Sequence, residues 1–295
     1  MSAFEAFGAY SSLDAGQKEM VDRKTIDETH TIDEWITLLT SLSTFDEHAD
    51  ALRKLLGWTM VIAVILGFAG AIVSQSLIVA VVALVVLIAA IVYYRRFKKL
   101  DLPNNLRKFV LPLLRLLRED MESTAPLALK CDLRGGQLEE KKTGAATSLP
   151  AGYGVVSATQ TLYTDPWISG ATTLADGSKL DWEIVDHIRR RDVTKRNARG
   201  KTKYKTKYKI RRQIDVKIGF PIDDYAMAVN KATGSGTATD RMAVKEGAKR
   251  NIYKMRRVVV ESVPDAILDL KQFIDPIAGA YRQVALKPED GGNQS

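Results

Sequence analysis

Few residues in this 295-residue chain have the types and spacing that catalysis demands. The three histidines, His30, His48 and His187, stand at no ligand spacing and beside no nucleophile. The single cysteine, Cys131, shares an alternating apolar face with Leu127, Leu129 and Leu133, so it reads as a small buried hydrophobe. Glu139-Glu140 and Asp223-Asp224 fall in turn-like sequence and are not placed for paired acid–base work. The GxG within residues 227–241 precedes no Lys-Ser/Thr pair and sits in no βαβ unit, which excludes a phosphate loop. No catalytic residue, metal site or cofactor is expected, and the chain reads as non-enzymatic.

The chemistry that does stand out is electrostatic. Residues 189–212 hold thirteen Lys/Arg against one acid, Asp192. From Lys201 to Lys209 every second residue is lysine, alternating with Thr202, Tyr204, Thr206 and Tyr208. A basic tail would not keep that period, so the pattern predicts a long strand with one cationic face. The tyrosines share the other face with Ile210 and Ile214 and are expected in the core. Such a density of like charge repels itself unless a polyanion neutralises it. The candidate polyanion-binding residues are Arg189, Arg191, Lys195, Arg196, Arg199, Lys201, Lys203, Lys205, Lys207, Lys209 and Arg211. Anionic lipid headgroups or an acidic protein surface are the expected partners, with a nucleic acid as the alternative. The chain's own first fifty residues are one such acidic surface, with eleven Asp/Glu and three Lys/Arg.

The elements that must position this ribbon follow from hydropathy. LLGWTMVIAVILGFAGAIV (55–73) and LIVAVVALVVLIAAIVYY (77–94) carry no charge and are separated by Ser74, Gln75 and Ser76. At ~1.5 Å per residue each run spans roughly 27–28 Å, the hydrocarbon thickness of a bilayer. This predicts a two-helix transmembrane hairpin. A buried hairpin in a soluble protein, or one that enters a single leaflet, accounts less well for such uninterrupted runs. Arg53, Lys54, Arg95, Arg96, Lys98 and Lys99 flank one end, together with Trp58, Tyr93 and Tyr94. Basic and aromatic flanks place that end, and both termini, on the cytoplasmic side of a cytoplasmic (inner) membrane of bacterial type. Ala63, Gly67 and Ala71 form a small-residue face, suited to packing the hairpin's two helices and offering a route to a homo-oligomer. MSAFEAFGAY has neither a basic n-region nor an apolar h-region, so no cleaved signal peptide is expected.

The expected architecture is membrane α+β: the hairpin, a cytoplasmic, mainly antiparallel β domain, and flanking helices. Residues 1–54 form an acidic helical region, loose up to residue 24 apart from room for a short helix. Thr31 and Glu34 make a capping box there, and a second helix begins near Ser43 or Thr44. Residues 55–94 are the hairpin. Residues 95–126 form a basic amphipathic juxtamembrane helix whose stripe (Leu106, Phe109, Val110, Leu113, Leu114, Leu117) meets either the membrane interface or the β domain, with a kink at Pro112. Residues 127–261 are the basic β domain, including short strands 159–167 and 167–174 divided at Asp165-Pro166. Residues 262–295 are a helix opened by Pro264, then a disordered tail. One register is expected in detail. If paired residue numbers in the strands around 180–194 and 201–220 sum to 398, the two polar exceptions on their apolar faces, Asp186 and Arg212, lie opposite each other.

Overall fold

The computed structural model describes residues 5–72, 77–150, 155–197, 199–227, 240–264 and 266–287. The expected turn at Ser74, Gln75 and Ser76, the loop over 228–239 and the tail from 288 onward lie outside these residues. The fold is α+β, with two compact units: Met1–Lys24 with Thr37–Arg107, and Thr25–Ile36 with Lys108–Ser295.

The first unit is helical. The stretch expected to be loose with at most a short helix forms two, α1 (Glu5–Ser12) and α2 (Ala15–Arg23). Asp14 starts α2 by accepting the Gln17 backbone N–H at 2.7 Å, while the Gln17 side chain accepts the Asp14 N–H at 3.1 Å. α3 (Ile32–Ile72) runs 41 residues without the expected break at Ser43 or Thr44. Ser41 and Thr44 instead donate to carbonyls one turn back, at 3.1 and 2.9 Å, so polar residues that favour a cap are satisfied within the helix. α4 (Leu77–Lys99) follows. Stretches of α3 and α4 are long and apolar enough to cross a membrane, with mean hydropathies of 1.7 and 3.0. Only 11% of each apolar window is buried, which a core helix of a soluble protein would not show. The buried positions are small: Ala63, Gly70, Ala83 and Ala90. A methyl group added at Gly67 would touch the Ala83 methyl at 3.5 Å, so this face already packs helix on helix. Phe7 of α1 meets Tyr93 and Phe97 edge-on at 5.7 and 5.1 Å.

The second unit is a large antiparallel sheet. Its strands are β1 (Thr25–Thr31), β2 (Pro126–Asp132), β3 (Thr147–Ser148), β4 (Val155–Thr173), β5 (Lys179–Arg196), β6 (Thr202–Pro221), β8 (Asp240–Lys245) and β9 (Arg250–Glu261), in the order β1-β2-β4-β5-β6-β9-β8 with β3 on β4. β7 (Tyr225–Met227) and β10 (Val284–Leu286) pair separately. β1, inside the stretch expected to be helical, lies on the β2 edge. It hands over to α3 through the expected capping box: the Glu34 carboxylate accepts the Thr31 N–H at 2.9 Å, and Thr31 Oγ1 accepts the Glu34 N–H at 3.4 Å.

β4 is one strand, not two. Pro166 has no N–H for the ladder, and the register shifts between Pro166 and Ile168. The strand absorbs this as a bulge that turns both Trp167 and Ile168 inward. The sheet's inner face is covered by α5 (Leu111–Leu117) and α6 (Leu270–Tyr281). Phe109 contacts Trp167 and Phe273, and Phe273 contacts Trp182, with ring centroids 5.9–6.0 Å apart. The stripe from Leu106 to Leu117 is therefore buried in protein rather than laid on an interface. The expected single helix over 95–126 is interrupted after Lys99, and a π-helical turn at Leu106–Val110 accommodates Pro112 at the start of α5. α6 begins at Leu270, six residues later than expected, because Asp269 rather than Pro264 caps it, accepting the Lys271 N–H at 3.0 Å. Pro276 sits inside α6 without ending it.

Candidate functional site

Alternation along β5 and β6 builds the site. Asp186 lies opposite Arg212, and Leu180, Trp182, Ile184 and Ile188 lie opposite Ile218, Val216, Ile214 and Ile210, the register expected from the sequence. Arg212, 2% exposed, grips Asp186 in a bidentate pair at 2.8 and 2.7 Å. It also donates to the Ala266 carbonyl at 3.0 Å and lies 5.7 Å from the Trp167 ring. Asp165 on β4 stands beside Asp186 and is matched by Lys141 at 2.7 Å, although burial raises its pKa. These anchored charges pin the register from which the rest of the hairpin extends.

Beyond Ile188 and Ile210 the same alternation continues without a core beneath it. Arg189 faces Lys209, Arg191 faces Lys207, Lys195 faces Lys203, and His187 faces Arg211. Odd-numbered residues share a face, so Arg189, Arg191, Lys195, Lys203, Lys205, Lys207, Lys209 and Arg211 lie together. Like charges directly opposite repel. Among the described residues no ion pair reaches any of these eight; Arg191 Nε donates to the neutral Gln160 side chain at 2.9 Å. Lower on the same face acids are interspersed with the cations: Lys217 pairs with Asp181 at 2.9 Å, and Arg256 with Asp215 at 2.6 Å.

Three expected site residues are placed apart from this group. Arg196 pairs with Thr202 and belongs to the opposite face. Arg199 and Lys201 sit in the connecting turn, where Gly200 adopts φ +76°, and the Lys201 N–H donates to Asn197 Oδ1 at 2.8 Å. The tyrosines differ from expectation. Tyr208 is half-buried against Tyr163, Ile188 and Ile210, but Tyr204 is 82% exposed, because the sheet outruns its covering helices. Two apolar side chains join the cationic face: Leu162, opposite Arg189 and 42% exposed, and Val260, opposite Arg211 and 55% exposed. Their positions depend on cross-strand register, which local sequence does not carry.

Other titratable groups have structural surroundings. Cys131 is fully buried, and burial pushes its thiol pKa up, away from nucleophilic use. His30 contacts Glu28 at 2.7 Å and meets Trp35 edge-on. The His48 side chain is largely buried, 3.5 Å from Glu5. Asp46, Asp50 and Asp101 bring carboxylate oxygens within 4.8 Å of one another. Arg53 hydrogen-bonds to Asp50 and Asp101, and Arg107 lies 3.5 Å from Asp50, so the cluster carries its own counter-ions. The Asp46 pKa is pushed up to about 6 by burial, against the lowering effect of the Leu102 N–H at 3.1 Å. Compared with known proteins, the chain matches no family model, no curated protein and no solved structure.

Proposed function

We propose that this chain is a non-enzymatic membrane-anchored scaffold or interaction protein. In this reading the apolar runs of α3 and α4 cross a cytoplasmic membrane as a hairpin, with both termini in the cytoplasm. The β domain presents its basic ribbon to anionic lipid headgroups or to an acidic protein surface. The observation that carries the reading is the row of cross-strand cations without counter-ions among the described residues, on a face that lower down does hold ion pairs, Lys217 with Asp181 and Arg256 with Asp215. Folding places like charges opposite each other at a cost that a polyanion would offset. Each Lys/Arg near an anionic surface contributes ~1 kcal/mol, and the chain's own hairpin would hold the ribbon near one. Leu162 and Val260 beside the cations suit a lipid interface.

A tethered nucleic-acid-binding module is the second reading. Tyr204, exposed on the ribbon, favours it as a stacking platform, although it points away from the lysine face. The test uses the full chain in neutral-lipid nanodiscs, offered vesicles of phosphatidylglycerol and phosphatidylcholine. Binding that falls with salt and resists nucleic-acid competitor supports the first reading. Displacement by a low concentration of nucleic acid, but not by neutral polymer, puts the second ahead. Reporters fused to either terminus should both score as cytoplasmic; an external signal from either one contradicts the hairpin.

A further inference from the structure

The ribbon has an open edge as well as a charged face. β9 covers β6 only from Ile210 to Pro221, ending where Glu261 meets Ile210. Among the described residues no strand runs beside Thr202–Lys209 on that side. The direction of the free main-chain groups follows from the turn. The Asn197 N–H donates to the Lys201 carbonyl at 3.0 Å, and hydrogen-bonded pairs recur at every second residue of an antiparallel ladder. Odd residues of β6 thus aim their N–H and C=O groups at β5. Thr202, Tyr204, Thr206 and Tyr208 aim theirs outward. A recess of about 400 Å³, lined by Arg189, Arg191, Lys207, Lys209, Val260 and Glu261 among others, lies on the cationic face beside this edge, where β9 stops.

We propose that this edge takes up an extended acidic polypeptide segment of a partner protein as an added strand. The inference rests on the reading of the ribbon as a polyanion site and names the partner's class. Residues of the incoming strand opposite the odd positions of β6 would lie beside lysines and would be Asp or Glu. Those opposite the even positions would supply the ladder hydrogen bonds. The lysines also exclude a competitor. Symmetric antiparallel pairing with a second copy about Thr206 sets Lys203 against Lys209 and Lys205 against Lys207, which repels. A lipid surface or a nucleic acid uses the charges, and its phosphates can accept from an N–H, but it offers no main chain that meets the alternating N–H and C=O groups of the edge in register.

The test titrates the full chain in neutral-lipid nanodiscs with a short peptide alternating Glu and Val, and with the same peptide N-methylated at each Val. Methylation keeps the charge but removes the N–H groups aimed at β6. The expected result is that the parent peptide binds and the methylated one loses about tenfold or more. Tyr204→Pro, which deletes one outward N–H and leaves every cation, should weaken the parent peptide and leave vesicle binding unchanged. Equal binding of the two peptides, or no binding of the parent, overturns the edge proposal. Vesicle binding by the same sample reports separately on the polyanion reading, so the two failures are distinguishable.

Discussion

Arg212 uses all three of its guanidinium nitrogens inside the sheet core, two on Asp186 and one on the Ala266 carbonyl. Taking two charges from water costs several kcal/mol each, offset only by good geometry and full hydrogen bonding. Removing one partner is therefore worse than never having the pair. Asp186→Asn should destabilise the chain by about 3–5 kcal/mol in urea unfolding followed in detergent. Asp186→Arg combined with Arg212→Asp should recover part of the loss. Full recovery is not expected, because the Ala266 carbonyl and the Trp167 ring suit a guanidinium at position 212. A double variant no more stable than the worse single one contradicts the direct pairing.

Asp46 gives a pH signature at the same scale. Its folded pKa of about 6 lies above the ordinary carboxylate value of about 3.9, so between those values the folded chain holds more protons than the unfolded one. Stability should fall as pH rises through that window, and the penalty should be complete above it. Asp46→Asn should flatten this slope and stabilise the chain at neutral pH by about 1–3 kcal/mol. At pH near 4 variant and wild type should unfold together. A wild-type slope of the opposite sign, or one unchanged in Asp46→Asn, contradicts the assignment.

At the scale of elements, what the sequence made legible was periodicity, and what it hid was context. Matching interruptions at Asp186 and Arg212 were enough to set the β5–β6 register, because a one-residue slip would expose every apolar residue. β1, Thr25–Thr31, escaped notice because only Ile26 along it is buried and its partner β2 is about a hundred residues away. Breaker signals misled twice: Ser43-Thr44 did not end α3, and Asp165-Pro166 did not divide β4. In both places the chain satisfies or bypasses the local preference and keeps the longer element. The cationic residues were readable, but their cross-strand stacking, the open edge and the exposure of Tyr204 follow from where neighbouring elements stop. Gly170 is such a position. It lies opposite Trp182, and an added methyl would overlap the indole. Gly170→Ala should cost about 1–3 kcal/mol in the same unfolding assay, and an unaffected midpoint would contradict the β4–β5 packing.

For the molecule as a whole, charge is the organising quantity. The chain is +8 overall, yet its first fifty residues are strongly acidic and the cations concentrate on one ribbon. A solvated face and a polyanion site differ in what neutralising the lysines does. The direct measurement changes Lys201, Lys203, Lys205, Lys207 and Lys209 together to Gln, with the full chain in neutral-lipid nanodiscs and anionic vesicles as partner. These side chains bury little, so the unfolding midpoint should stay within about 0.5 kcal/mol of wild type. Vesicle binding should weaken sharply, and the residual binding should depend less steeply on salt than that of wild type. If the five-fold variant binds anionic vesicles, nucleic acid and acidic peptide as well as wild type does, the ribbon is only a solvated face and the proposed function falls.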